Sequence, residues 1–121
     1  MIKIKEIEWL DEESDEAVLV LVDSHQKELV CFTHSIPIEK VEKRLYILYP
    51  DFCTEPNISD LEMYVLTHID NFVHFVVGQV IDTQRPLIKC FDYIFNLEVP
   101  IGEHISNGDW IEFEVGRFNV R

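Results

Sequence analysis

The stretch Trp110-Ile111-Glu112-Phe113-Glu114-Val115-Gly116-Arg117-Phe118-Asn119-Val120 decides the fold class. Up to Val115 the apolar side chains fall on every second residue, the period of a strand with one buried face. After Gly116 the phase changes, and Phe118 and Val120 become the apolar positions. A strand that changes face must bulge or turn a corner, and glycine is the residue that permits it. A second apolar, β-branched run, Val73 to Ile81, carries Gly78 at its middle. There a strand bends or is closely approached by its neighbour.

Working outward, the same period recurs along most of the chain. Leu87 to Val99 reads as one long strand with Phe91, Tyr93, Phe95, Leu97 and Val99 on a shared face. One apolar face per strand is what burial demands, so this aromatic stripe is read as core. Ile2 and Ile4 alternate with lysines, and Ile7 and Trp9 then continue in the opposite phase, which predicts a bulge between Ile4 and Ile7. Ala17 to Val22 is a buried strand, Asp23 to Gln26 a hairpin connection, and Leu29 to Thr33 the returning strand. Residues 2–34 are therefore expected to form a three-strand meander.

Two stretches are ambiguous. Ile38, Val41, Leu45 and Leu48 recur at helical spacing, with Ser35 as a cap and Pro37 in the first turn, although Leu45 to Tyr49 also suits a strand. A short helix is expected there. Residues 60–72 carry a capping box at Ser59-Asp60-Leu61-Glu62, but also strand-forming Tyr64, Val65 and Thr67 before a turn at Asp70-Asn71. Residues 50–60, dense in turn formers, read as a loop.

The expected fold is mainly β, a small antiparallel barrel or sandwich with one or two short helices, because long strands with glycine corners favour partial closure. Residues 73–121 resemble the strands of an OB-type Greek-key barrel: a bent strand with a central glycine, a long partner, and a strand opening with Gly108-Asp109-Trp110. The resemblance concerns architecture and assigns no function.

The 121 residues form one expected domain, 1–121, with 47% apolar side chains and enough length for an independent core. Acidic groups number 23 against 10 basic ones, a formal net charge of −13. Such a surface repels nucleic acid and anionic membranes and attracts basic proteins. No apolar run approaches the ~18–20 residues of a membrane span. No secretory signal is read at the start, and three cysteines without paired spacing argue against a disulfide framework. A reducing cytoplasm is the expected location.

Candidate chemistry is sparse. Cys31 and His34 form a C-x2-H pair, a weak metal candidate, since residues 31 and 34 of a strand face opposite sides and no second pair completes a zinc site. His68 and His74 lie six apart without a tight partner pair. Cys53 is the thiol most open to solvent, but Asp51 and Glu55 beside it disfavour the thiolate. Glu112 and Glu114 share a face and are candidates to meet Asp92 or Glu98, and Arg117 is a candidate to pair with a carboxylate. No phosphate-cradling glycine motif is present among four glycines, and no cofactor is implied.

The densest charge is the run of seven carboxylates in residues 6–16. Within it, Glu12, Glu13, Asp15 and Glu16 are the expected partner-binding residues, a docking patch for a cationic protein. The expected function is a non-enzymatic protein-binding or inhibitory module of immunity type. Its alternative is a small enzyme or ligand-binding barrel with a site in the barrel mouth. OB-type oligonucleotide binding comes third, opposed by the charge, and homo-oligomers through edge strands are a further expectation.

Overall fold

The computed structural model describes residues 1–121. Lys3–Asp11 (β1), Glu16–Val22 (β2) and Glu28–Thr33 (β3) form the expected antiparallel meander. The slip after Ile4 is a register shift between Ile4 and Glu6, and a second one lies between Trp9 and Asp11. In β2 the residues Ala17, Leu19 and Leu21 are fully buried while Val18, Val20 and Val22 are half-buried on the other face.

Ile38–Val41 (α1) makes one helical turn that continues as a 3-10 turn over Glu42–Arg44. The helical spacing buries Val41, Leu45 and Leu48. Ser35 does not cap this helix: Pro37 holds the cap position and no side chain bonds to the exposed N–H groups. The Ser35 N–H is instead donated to the Ser14 carbonyl at 3.0 Å. The expected loop at 50–60 contains two short strands, Tyr49–Asp51 (β4) and Asn57–Ile58 (β5). Main-chain pairing with the end of the molecule recruits both, so side-chain periodicity carried no trace of them.

Val65–Asp70 (β6) and Val73–Asp82 (β7) form a hairpin, so of the ambiguous stretch 60–72 residues 65–70 are strand and none is helix. The Ser59 hydroxyl serves a local turn, accepting the Leu61 N–H at 3.1 Å. The single long strand expected from Leu87 to Val99 is in fact a hairpin, Leu87–Cys90 (β8) and Tyr93–Asn96 (β9). Phe91 takes a left-handed φ of 54° at the turn. Tyr93, Phe95 and Leu97 are buried as expected, whereas Val99 is exposed and Phe91 half-buried.

Trp110–Val115 (β10) and Arg117–Asn119 (β11) are the two halves of the strand that changes phase. β10 lies in one sheet, ordered β5-β10-β7-β8-β9 with β6 also on β7, and β11 lies in the other, ordered β1-β2-β3-β11-β4. Gly116 is the corner between them. A Cβ there would stand 2.6 Å from the Cβ of Phe52, so the close approach needs glycine. Gly78 answers the other expectation: a Cβ would meet the Lys89 carbonyl oxygen at 2.7 Å.

The protein is therefore mainly β, in two sheets, and no closed barrel is formed. The main chain also joins the sheets at Leu48, whose N–H is donated to Ile94 O and whose carbonyl accepts the Asn96 N–H, both at 2.9 Å. One core cluster of 22 buried residues spans both sheets. At its centre the rings of Phe95 and Phe118 stand 4.6 Å apart, with Tyr93 stacked beyond Phe95. No helix is long and apolar enough to cross a membrane.

Because the crowding at Gly116 involves Cβ and backbone atoms, Gly116→Ala should destabilise the fold by about 1–3 kcal/mol. Urea denaturation of the variant checks this; Gly108→Ala, where a Cβ meets nothing within 4 Å but φ is +91°, reports the cost of backbone conformation without crowding.

Candidate functional site

Three groups of polar side chains stand out. The first is the acidic ridge formed by β1 and its turn into β2. Glu6 and Glu8 lie opposite Val20 and Val18 and therefore on the outer face of the sheet. Asp11, Glu12 and Glu13 are exposed and Asp15 and Glu16 half-buried. The turn is ordered by its own hydrogen bonds, the Glu13 N–H donated to the Asp11 carboxylate at 3.0 Å and the Asp15 N–H to Glu12 O. None of these seven carboxylates makes an ion pair; nearby Lys5 is committed to Glu28 at 2.6 Å. The structure thus places Glu12, Glu13, Asp15 and Glu16 together at one hairpin end.

Beside the ridge lies the largest of four surface grooves, about 470 Å³, floored by Val18, Val20 and Val30. Its walls are Glu8 on one side and His68, Asn71 and Phe72 of the β6–β7 turn on the other.

The second group is a knot around Asp23, whose side chain is completely buried. One carboxylate oxygen accepts the N–H groups of His25 and Lys27, each at 2.9 Å, and the other accepts the Asp92 N–H at 3.1 Å. Asp92 in turn accepts the Ser24 N–H at 2.9 Å and the Ser24 hydroxyl. The two Ser24 hydrogen bonds, side chain first, hold the Asp92 carboxyl far below the usual carboxylate range. His25 Nδ1 stands 3.3 Å from Asp92 Oδ1. Asp23, His25 and Asp92 have ligand-type atoms within 4.8 Å of one another. Asp23 is nevertheless spent on main-chain donors and Asp92 on Ser24 and the Met1 amino group at 3.2 Å, so the knot reads as a clasp between the β2–β3 and β8–β9 turns. Sequence reasoning missed it; the only local signal was Asp23 two residues before His25, an Asx-type turn.

The third group is His68 and His74, which the β6–β7 pairing sets directly opposite one another, ring centroids 5.1 Å apart. His74 is fully buried against Phe118. Its Nε2 accepts the Val30 N–H at 3.2 Å and its Nδ1–H is donated to Phe72 O at 2.9 Å. The bond accepted from Val30 requires a neutral ring with its proton on Nδ1, whereas the bond donated to Phe72 O is compatible with either charge state. Burial, opposed by the bond to Phe72 and aided by His68, pushes the His74 pKa down to about 4. His68 Nε2 is engaged with Asn71 O at 2.6 Å. These rings are structural pins: the turn falls at 71–72, one residue past the expected Asp70-Asn71, and the register shift between His68 and Asp70 is what brings His68 opposite His74.

The remaining candidates separate. Cys31 is buried in the core, where desolvation drives its thiol strongly up, whereas His34 is exposed and stacked on Phe32; they form no site. Cys53 is exposed, but burial around its sulfur and then Asp51 push its thiol up to about 11, the wrong direction for a nucleophile. Glu112 and Glu114 line a groove with Glu55, away from Asp92 in the Asp23 knot and Glu98, which pairs with Arg121. Arg117 pairs with no carboxylate, correcting that expectation. Its guanidinium lies over the Phe32 ring at 4.6 Å and near Phe52 at 5.8 Å. Phe91, of the aromatic stripe, and Trp110 of β10 are only half-buried and flank Tyr64 at 5.4 and 5.1 Å.

Comparison with protein families, with characterised proteins and with solved structures finds no match for this chain.

Two consequences are measurable. Asp23→Ala removes the acceptor of three part-buried backbone N–H donors, so it should cost on the order of 2–3 kcal/mol in urea denaturation, with Asp23→Asn costing less. For His74, the unfolded ring binds a proton near its ordinary pKa while the folded ring waits until about 4. Its contribution is therefore complete above about pH 6.5 and is lost on acidification toward 4, at up to about 1.4 kcal/mol per pH unit. Urea midpoints at pH 7 and 5 should converge in His74→Gln relative to the parent protein; an unaltered difference refutes the assignment.

Proposed function

We propose that this protein is a non-enzymatic binding module of inhibitory or immunity type that docks a basic protein through β1 and the β1–β2 turn. The observation that carries the reading is the set of seven carboxylates in residues 6–16, all without an ionic partner. On a chain of net charge −13, this ridge concentrates a field that steers cations toward one end of a sheet. Lys and Arg of a partner would neutralise carboxylates that now repel one another. Within this reading the two sheets, joined at Gly116 and at Leu48, act as a partly open, OB-like barrel serving as a rigid scaffold. Three free thiols fit a reducing cytoplasm as its place of work.

The rival reading, an enzyme or ligand carrier with a site in a barrel mouth, has less support. Tyr93, Phe95 and Phe118 fill the interior, and the titratable groups that do converge are occupied by backbone bonds. Oligonucleotide binding of the OB kind lacks a basic groove. After residue 44 the cations are Arg85, Lys89, Arg117 and Arg121, of which Arg85 and Arg121 are ion-paired. A gel shift at low salt should show no complex.

The direct test is affinity capture from native cytosol at low and high salt, with the recovered protein identified and its association then timed. Replacing Glu12, Glu13 and Glu16 by Gln and Asp15 by Asn together should slow association on the order of tenfold and flatten its salt dependence. An unchanged on-rate removes the turn from the interface.

A further inference from the structure

Building on that reading, we infer that the partner supplies an extended segment of alternating cationic and apolar side chains, which adds to β1 as a new outermost strand. β1 is a nine-residue strand hydrogen-bonded on one side only, to β2, and it ends its sheet. Alternate N–H and C=O groups on its other side are therefore open to a partner strand.

The two register shifts, after Ile4 and after Trp9, leave Glu6 to Trp9 as the regular stretch between them. Its side chains are divided by face. Glu6 and Glu8 point outward, opposite Val20 and Val18. Ile7 and Trp9 sit opposite Leu19 and Ala17 on the inner face, yet they are 42% and 37% exposed where Leu19 and Ala17 are at 0%. They extend the apolar inner face beyond what the rest of the protein covers. An edge guarded merely against aggregation would carry charge without this apolar pair.

In a strand paired with β1, residues directly opposite share a face. Those facing Glu6 and Glu8 are favoured as Lys or Arg, and those facing Ile7 and Trp9 as apolar. The incoming strand thus reads as cation, apolar, cation, apolar, with the exposed Asp11, Glu12 and Glu13 accepting a further basic residue at one end. A second copy of this chain does not satisfy the same surface. Two-fold antiparallel pairing about residue 6, 7 or 8 sets Glu6 against Glu6, Glu6 against Glu8, or Glu8 against Glu8, and like charges directly opposite are destabilising.

The test uses the intact protein, labelled with nitrogen-15, and three probes at about 25 mM salt, where screening is weak. They are a blocked octapeptide of four Lys-Val repeats, the same peptide N-methylated at alternate amides, and an octalysine. The inference expects the repeat peptide to shift Glu6 to Trp9 resonances and slow exchange of alternate β1 amides. It expects N-methylation on the pairing edge to weaken binding roughly tenfold or more, as removal of main-chain bonds should. If all three probes bind alike and perturb only the β1–β2 turn, strand addition is overturned while acidic docking stands. If no cationic probe binds, both readings fall. Perturbation centred on another edge, or a β1-mediated dimer in sedimentation, overturns the inference as well.

Discussion

The buried carboxylate of Asp23 is the constraint on which the arrangement of this protein depends. A charged group removed from water must be compensated, and here three backbone N–H groups do so. Two of those donors belong to its own turn, and the third, from Asp92, belongs to a turn of the other sheet. The bond between turns draws the β8–β9 hairpin against the β2–β3 hairpin. Tyr93 strengthens the same junction by donating its hydroxyl to Lys27 O at 2.7 Å. Once the turns are clasped, Tyr93 and Phe95 are directed into the space between the sheets, where Phe118 completes the interior.

His74 plays the complementary role at another junction. The Val30 N–H lies on β3 and its acceptor ring on β7, so a single neutral imidazole ties strands of both sheets. The polar groups that attract notice as chemistry are therefore used as joinery. The outer ridge of β1 and its turn, by contrast, carries seven carboxylates without an ion pair beside a strand that ends its sheet.

Much of the architecture was legible from side-chain period. The runs at 17–22, 28–33, 73–82 and 110–115 become strands because β-branched and aromatic residues alternate with polar ones or bury both faces. Phase slips at Ile4 to Ile7 and at Gly116 marked a bulge and a corner, since a pleated chain cannot change face without one. The acidic ridge was equally legible, being contiguous in sequence. The hairpin at 87–96 was not, because Phe91 and Tyr93 keep the alternation of an uninterrupted strand. Residues 60–72 carried helix and strand signals together, and pairing with β7 chose between them. The strands β4 and β5 owe their form to main-chain partners distant in sequence.

By itself the chain determined that alternating apolar residues would make sheets, that glycine would sit where strands turn or crowd, and that carboxylates would gather near its beginning. Those properties are local, set by the two-residue repeat of the pleat and by side-chain chemistry. Only tertiary structure decided that Phe91 and Asp92 turn, that His68 faces His74, that Cys31 and His34 part, and that β1 is left as an edge. Each depends on a donor, acceptor or apolar surface brought from far along the chain, and such a contact has no period to read.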